Sequence, residues 1–250
     1  MESKFRDVFL DQWSRHFPGA GLPMTLAYSE EQGNAERVKN PPGHQCLIGV
    51  LNRVRSGKSI CFDADSVGCF GGKRYLGFST GLSPTFDRFL STGIPGQLEG
   101  ERYKKSPELV REVVAQWPDF KAPARYAVFK RWDRLEERDH PEVVIFWAQP
   151  TVLSGLFTLA NFDHPGPEGV IAPFCAGCAS IVMYPWMERD AEHPRAVLGM
   201  FDVSARPFVP ASTLSFAVPL SKFKTMVGNM EESFLITPSW GKARKRISGD

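Results

Sequence analysis

Five cysteines carry most of the chemistry available to this chain. Cys175 and Cys178 form a Cys-x-x-Cys pair, and Cys61 and Cys69 lie far upstream. Two thiolates at that close spacing can hold one side of a zinc ion or an iron–sulfur cluster, and a complete centre needs four ligands. Cys61 and Cys69 would complete the set, with Cys46 as a substitute, so the expected metal ligands are Cys61, Cys69, Cys175 and Cys178. Gly68, Gly71, Gly72 and Gly177 would bring backbone amides close to the sulfurs. Two other uses compete with a metal. Cys175 at a helix N-terminus would have a lowered pKa suited to thiol–disulfide exchange. Alternatively, the cysteines are small buried apolar residues, as the flanking Ile171-Ala172-Pro173-Phe174 and Ser180-Ile181-Val182 suggest.

The second chemical signal is the glycine-rich stretch Gly68–Gly81 with Lys73 and Arg74. Glycines let backbone N–H groups approach an anion, and adjacent cations help. Gly71, Gly72, Lys73 and Arg74, with Arg206, are therefore the expected ligand-binding residues. The stretch is not a P-loop. Gly57-Lys58-Ser59 looks like the end of one, but Asn52 stands where the first glycine is required. Gly77-Phe78-Ser79-Thr80-Gly81 fits a nucleophile-elbow pattern, which needs a strand before it and a helix directly after, with Asp163 and His193 as distant partners. His16, His44, His140, His164 and His193 are scattered without metal-ligand spacing, although His164 could substitute in the cysteine set. Asp202 and Arg206 could pair with each other or grip a carboxylate. Phe62, Phe70, Phe78, Phe146, Phe157, Phe174 and Phe201 flank these elements and would line a dry pocket.

Periodicity indicates the elements that must position these residues. Helices are expected over Phe5–Phe17, over Cys46–Val54 with Gly57 as the stop, after Ser106-Pro107, over Val152–Phe162, and after a Ser221 cap. Strands are expected at Met24–Tyr28, Tyr75–Phe78, Tyr126–Lys130, Val143–Trp147, Ser180–Tyr184, Val197–Phe201 and Leu214–Val218. The pattern reads as an α+β fold: a mixed or antiparallel sheet with packed helices, in a single domain over residues 1–250. Cys69-x-Gly71 and Cys175-x-Gly177 each precede an apparent strand, and each follows a strand and a helix. That order suggests internal repeat halves, 5–134 and 141–240, whose cysteine turns a pseudo-twofold would bring together.

At these residues the sequence resembles a known family. Cys69-Phe70-Gly71-Gly72 followed by Tyr75-Leu76-Gly77-Phe78, then Phe174-Cys175-Ala176-Gly177-Cys178-Ala179-Ser180-Ile181, Gly199-Met200-Phe201-Asp202 with Arg206, and Phe216-Ala217-Val218-Pro219 are similar to the domain of unknown function 169 family. The resemblance runs from about residue 5 to residue 240. It implies a soluble prokaryotic protein built as one continuous domain, and it supplies no catalytic residues.

Composition bounds what remains. The 250 residues are 42% hydrophobic and 23% charged with a net charge of +2, which excludes disorder and any strong field for nucleic acid or membrane. The basic run Lys242–Arg246 reads as a solvated end. An odd cysteine count and a charged N-terminus without an apolar core fit the cytoplasm. Val143–Phe162 is long and uncharged, but Pro150 divides it into a strand and a helix rather than a membrane span. The leading expectation is a cytoplasmic protein with a cysteine-lined apolar pocket that binds a metal or iron–sulfur centre in a redox role. The alternative is a metal-free module for a small anionic or aromatic ligand, with structural cysteines. The partners expected are a small molecule or a metal, not nucleic acid or membrane, and a homo-oligomer is compatible with the sequence. No reaction is specified by these residues.

Overall fold

The computed structural model describes residues 3–39 and 43–247. Its helices are Ser3–His16 (α1), Leu47–Arg55 (α2), Phe70–Tyr75 (α3), Phe86–Phe89 (α4), Pro107–Ala115 (α5), Pro150–Ala160 (α6), Gly177–Ile181 (α7), Met183–Met187 (α8), Leu220–Gly228 (α9) and Pro238–Ala243 (α10). Its strands are Met24–Ser29 (β1), Glu36–Arg37 (β2), Ile60–Phe62 (β3), Tyr126–Arg131 (β4), Val143–Ala148 (β5), Val170–Ile171 (β6), Ala196–Gly199 (β7) and Leu214–Pro219 (β8). All eight strands form one mixed sheet in the order β2-β3-β4-β1-β5-β8-β7-β6, so the fold is α+β. Outward from the central antiparallel β1–β5 pair, each side runs through a six-residue strand, a shorter antiparallel strand, and a two-residue parallel strand at the edge.

Alternation along the strands separates two faces. Val144, Phe146, Phe216 and Val218 join α1, α6, α9 and α10 in an aromatic-rich core. Trp13 stacks on Phe17 at 4.4 Å, and Phe9, Trp132 and Phe223 meet edge-on at about 5 Å. Ser215 has the opposite parity to Phe216. Across from it, Gly199 lies so close to Ser180 of α7 that a methyl group there would overlap the Ser180 side chain. Sheet strands such as β5 are buried on both faces, which explains the uninterrupted apolar run Val143–Trp147. That run is a strand, and the segment after Pro150 is a helix, as the proline predicts. Among the described residues no helix is long and apolar enough to cross a membrane.

Two strand expectations are overturned. Tyr75–Phe78 is the end of α3 and its cap. Gly77 adopts φ 78°, its N–H donates to Arg74 O at 2.9 Å, and Phe78 N–H donates to Lys73 O at 2.9 Å, which is a Schellman closure rather than a strand. Ser180–Tyr184 lies in α7 and α8, separated by a break at Val182 (φ −118°, ψ −74°). Its β-branched residues suit a strand, but all of Gly177–Ile181 is buried against the sheet, and tertiary packing overrides propensity there. Ser221 is not a cap either: α9 starts at Leu220, directly off β8, with Pro219 in the cap position. By contrast, Ser106 accepts from Leu109 N–H at 3.4 Å as an N-cap, and Gly57 ends α2 at φ 94°.

The chain divides into two compact units, Met1–Phe78 with Ala122–Asp250, and Ser79–Lys121. The smaller unit holds α4 and α5, joined by an Arg111–Asp87 ion pair and an edge-on contact of Phe86 with Trp117.

Candidate functional site

Four of the cysteines stand where helices begin, all within the larger unit. Cys46 is the N-cap of α2 and Cys69 the N-cap of α3. Cys175 precedes α7, and Cys178 is its second residue. Both α2 and α3 pack against α7, which brings the three turns together. Each turn has a physical reason to hold its shape. The Cys69 sulfur accepts the Gly72 N–H at 3.1 Å. A Cβ at Gly72 would come within 2.7 Å of that sulfur and 3.1 Å of Leu47 Cβ, so the glycine is needed there. Around α7, Asp202 accepts the Gly177 N–H at 3.1 Å through Oδ2 and the Ser204 hydroxyl at 2.8 Å through Oδ1. The Ser180 hydroxyl donates to Gly177 O at 2.7 Å and accepts from Met200 N–H at 3.3 Å.

Burial, followed by repulsion from Cys69, Asp202, Cys46 and Cys175, pushes the Cys178 thiol well above its ordinary range. Cys175 is pushed up to about 12, first by burial and then by Asp202. Burial also raises Cys46, and the Gly49 and Ile48 amides at the start of α2 pull it partly back. The carboxylate acting on all three is Asp202. A lowered pKa at Cys175 is therefore overturned: α7 starts two residues later, burial raises the thiol, and the charge acting on it is the carboxylate of Asp202. Tyr75 and Tyr184 also adjoin the cluster: the Tyr75 phenol is raised by burial and then by Cys178 and Cys175, and that of Tyr184 by burial and then by Cys175.

Cys61 is elsewhere. It lies in β3 opposite Val128, in a small cluster with Ala35, Tyr126 and Val128. Its thiol is pushed up to about 11 by burial and then by Asp63. Of the cysteines, it is thus Cys46 rather than Cys61 that the fold places with Cys69, Cys175 and Cys178. Cys175 lies between β6 and β7, and the segment between β2 and β3, at the same place on the other side of the sheet, carries Cys46. Cys69 follows β3 instead. Among the described residues, no three His, Cys, Asp or Glu side chains are disposed as a ready-made metal-binding group.

The expected anion-binding residues are used within the fold. Gly71 and Gly72 form the first turn of α3, where the Gly72 and Lys73 amides are taken by Cys69. Lys73 and Arg74 lie in the last turn, where cations suit the carbonyl end of a helix. Arg206 donates to the carbonyls of Thr213 at 2.6 Å and Ala211 at 2.8 Å, bracing its own loop, and does not pair with Asp202. An open groove of about 1020 Å³ lies instead along Phe5, Val8, His140, Leu220 and Lys224. The nucleophile-elbow geometry is absent, because α3 rather than a strand precedes Ser79 and residues 79–83 form no helix. His164 Nδ1 is engaged by the backbone of Gly166, and its ring meets His193 edge-on.

The expectation of a dry phenylalanine lining fails at the surface. Phe62 and Phe146 are buried, but Phe70, Phe174 and Phe201, the neighbours of Cys69, Cys175 and Asp202, are 49%, 64% and 54% exposed. Sequence reasoning also missed Met200, Tyr75 and Tyr184 as neighbours of the cluster. Met200, beside Asp202 in the segment after β7, and Tyr75, just after the Cys69 turn, carried a signal; Tyr184 carried none.

Fold and site together define an α+β protein with four cysteines on helix-starting turns beside a mixed sheet. The chain belongs to the domain of unknown function 169 family (DUF169), described as an uncharacterised ArCR family, whose profile matches residues 23–229. No curated protein and no solved structure matches it.

Proposed function

We propose that the turns carrying Cys46, Cys69, Cys175 and Cys178 bind a thiophilic metal or iron–sulfur centre with a redox role. The observation that carries this reading is that α2 and α3, each begun by a cysteine, both pack on α7, the helix of the Cys175–Cys178 pair. Packing alone needs no such coincidence of one residue type. The electrostatics point the same way. The charged side chain acting on three of the thiols is the carboxylate of Asp202, an environment that favours a cation and repels an anionic ligand. Soft thiolate donors select soft or borderline metals. Cys175 is only partly buried, which leaves a way in from solvent.

Protein purified without oxygen and reconstituted with Co(II) or with iron and sulfide is the test, read by metal content and visible absorption. The expected result is a thiolate charge-transfer band that Cys69→Ser and Cys178→Ser abolish and Cys61→Ser leaves intact. Absence of both metal and band in the parent protein, or equal loss in Cys61→Ser, would overturn the proposal.

A further inference from the structure

The start of α7 also meets a sulfur that is not a cysteine. Met200 follows β7 with φ 67°, a left-handed conformation that a long side chain seldom adopts and that costs on the order of 1 kcal/mol or more. It is 1% exposed, and its N–H is held by the Ser180 hydroxyl at 3.3 Å. The side chain folds against Gly177, the residue between Ala176 and Cys178: a Cβ on Gly177 would lie 2.8 Å from Met200 Sδ and 3.1 Å from Ala205 Cβ. The missing side chain at 177 is therefore what admits the thioether to the Cys175–Cys178 turn. Filling space would not require a sulfur there, nor a strained backbone to deliver it.

We infer that Met200 is a sulfur donor beside Cys175 and Cys178, and that it makes this turn selective for a soft monovalent cation of the Cu(I) class. The inference rests on the metal-binding reading above and names the class of metal. A thioether is a neutral, soft ligand. It adds to the affinity for Cu(I) and contributes little to a harder ion. Two thiolates and a thioether satisfy a low-coordinate ion, whereas zinc requires four donors. The balance of the step is simple. Two sulfur–copper bonds form at Cys175 and Cys178, their two thiol protons leave to solvent, Met200 contributes a lone pair without a proton, and no electron is transferred.

The test is competition, under anaerobic conditions, between the full chain and a coloured Cu(I) chelator supplied as its Cu(I) complex. Wild type should withdraw one Cu(I) per chain. Met200→Leu, which keeps size and apolarity, should hold it roughly 10–100-fold more weakly while the Co(II) spectrum stays unchanged. Equal Cu(I) affinity in wild type and Met200→Leu overturns the inference and leaves the metal-binding reading standing. Failure of wild type to bind Co(II), iron or Cu(I) overturns both. Should Met200→Leu not fold, selenomethionine-labelled wild type loaded with Cu(I) gives the same decision: a copper neighbour at the selenium absorption edge supports the inference, and its absence overturns it.

Discussion

Cys61 and Cys178 are both buried cysteines with raised pKa values, and they sit in different surroundings. Cys61 sits in a strand, pairs across the sheet with Val128, and has Ala35 and Tyr126 for company. A strand sulfur alternates with its neighbours and meets whatever the adjacent strand presents, which here is hydrocarbon. Cys178 sits in the first turn of a helix, where chain directions change and loops from distant segments meet. Its neighbours are three other sulfurs and a carboxylate. Burial is common to both, so burial does not identify a functional cysteine. What separates the two is the element on which each sits and what that element meets.

The largest expected effect breaks the turn itself. Gly199→Ala, at the end of β7, would drive a methyl group into Ser180 of α7 and should destabilise by about 3 kcal/mol, the upper range for overpacking, as a fall in the urea midpoint. Cys61→Ala should cost about 1 kcal/mol, the loss of a small buried apolar group, and leave metal binding unchanged. A large loss of metal binding there would erase the contrast between the two cysteines. Alkaline pH should act on both regions together. Cys61 and Cys175 have native values of about 11 and about 12 against an ordinary 9.0, so the folded state keeps protons that the unfolded chain releases. The stability these thiols contribute is complete below pH 9 and is lost as pH rises through 11 to 12. Urea midpoints should therefore fall across that window, and less steeply in Cys175→Ala. The smallest effect on the fold is the most informative about function. Cys69→Ser replaces one N-cap acceptor for the Gly72 N–H with a preferred one. Thermal stability should shift by less than about 0.5 kcal/mol, while the charge-transfer band of the metal-loaded protein disappears.

Much of the fold was legible because it rests on local signals. Pro150 divides β5 from α6, Ser106 caps α5 and Gly57 ends α2, each by the restricted or permissive backbone of that single residue. The errors fell on Tyr75–Phe78 and Ser180–Tyr184. There the aromatic and β-branched residues favour a strand, but a glycine closure in one case and complete burial of a short helix in the other decided otherwise. Cys175 and Cys178 stood out by spacing. Cys46 did not, because its partners are far away in sequence, and Cys61 was included only because it lies near Cys69.

The sequence alone determined the α+β class, the breakpoints set by proline and glycine, and the presence of a close thiol pair, since these depend on residue type and nearest neighbours. Tertiary structure decided which cysteines meet. It placed Cys46 with Cys69 and Cys178 by packing α2 and α3 on α7, and it left Cys61 in a strand. It also set Asp202 and Met200 against Gly177. Contacts between distant segments depend on strand order and helix packing, which no local spacing encodes.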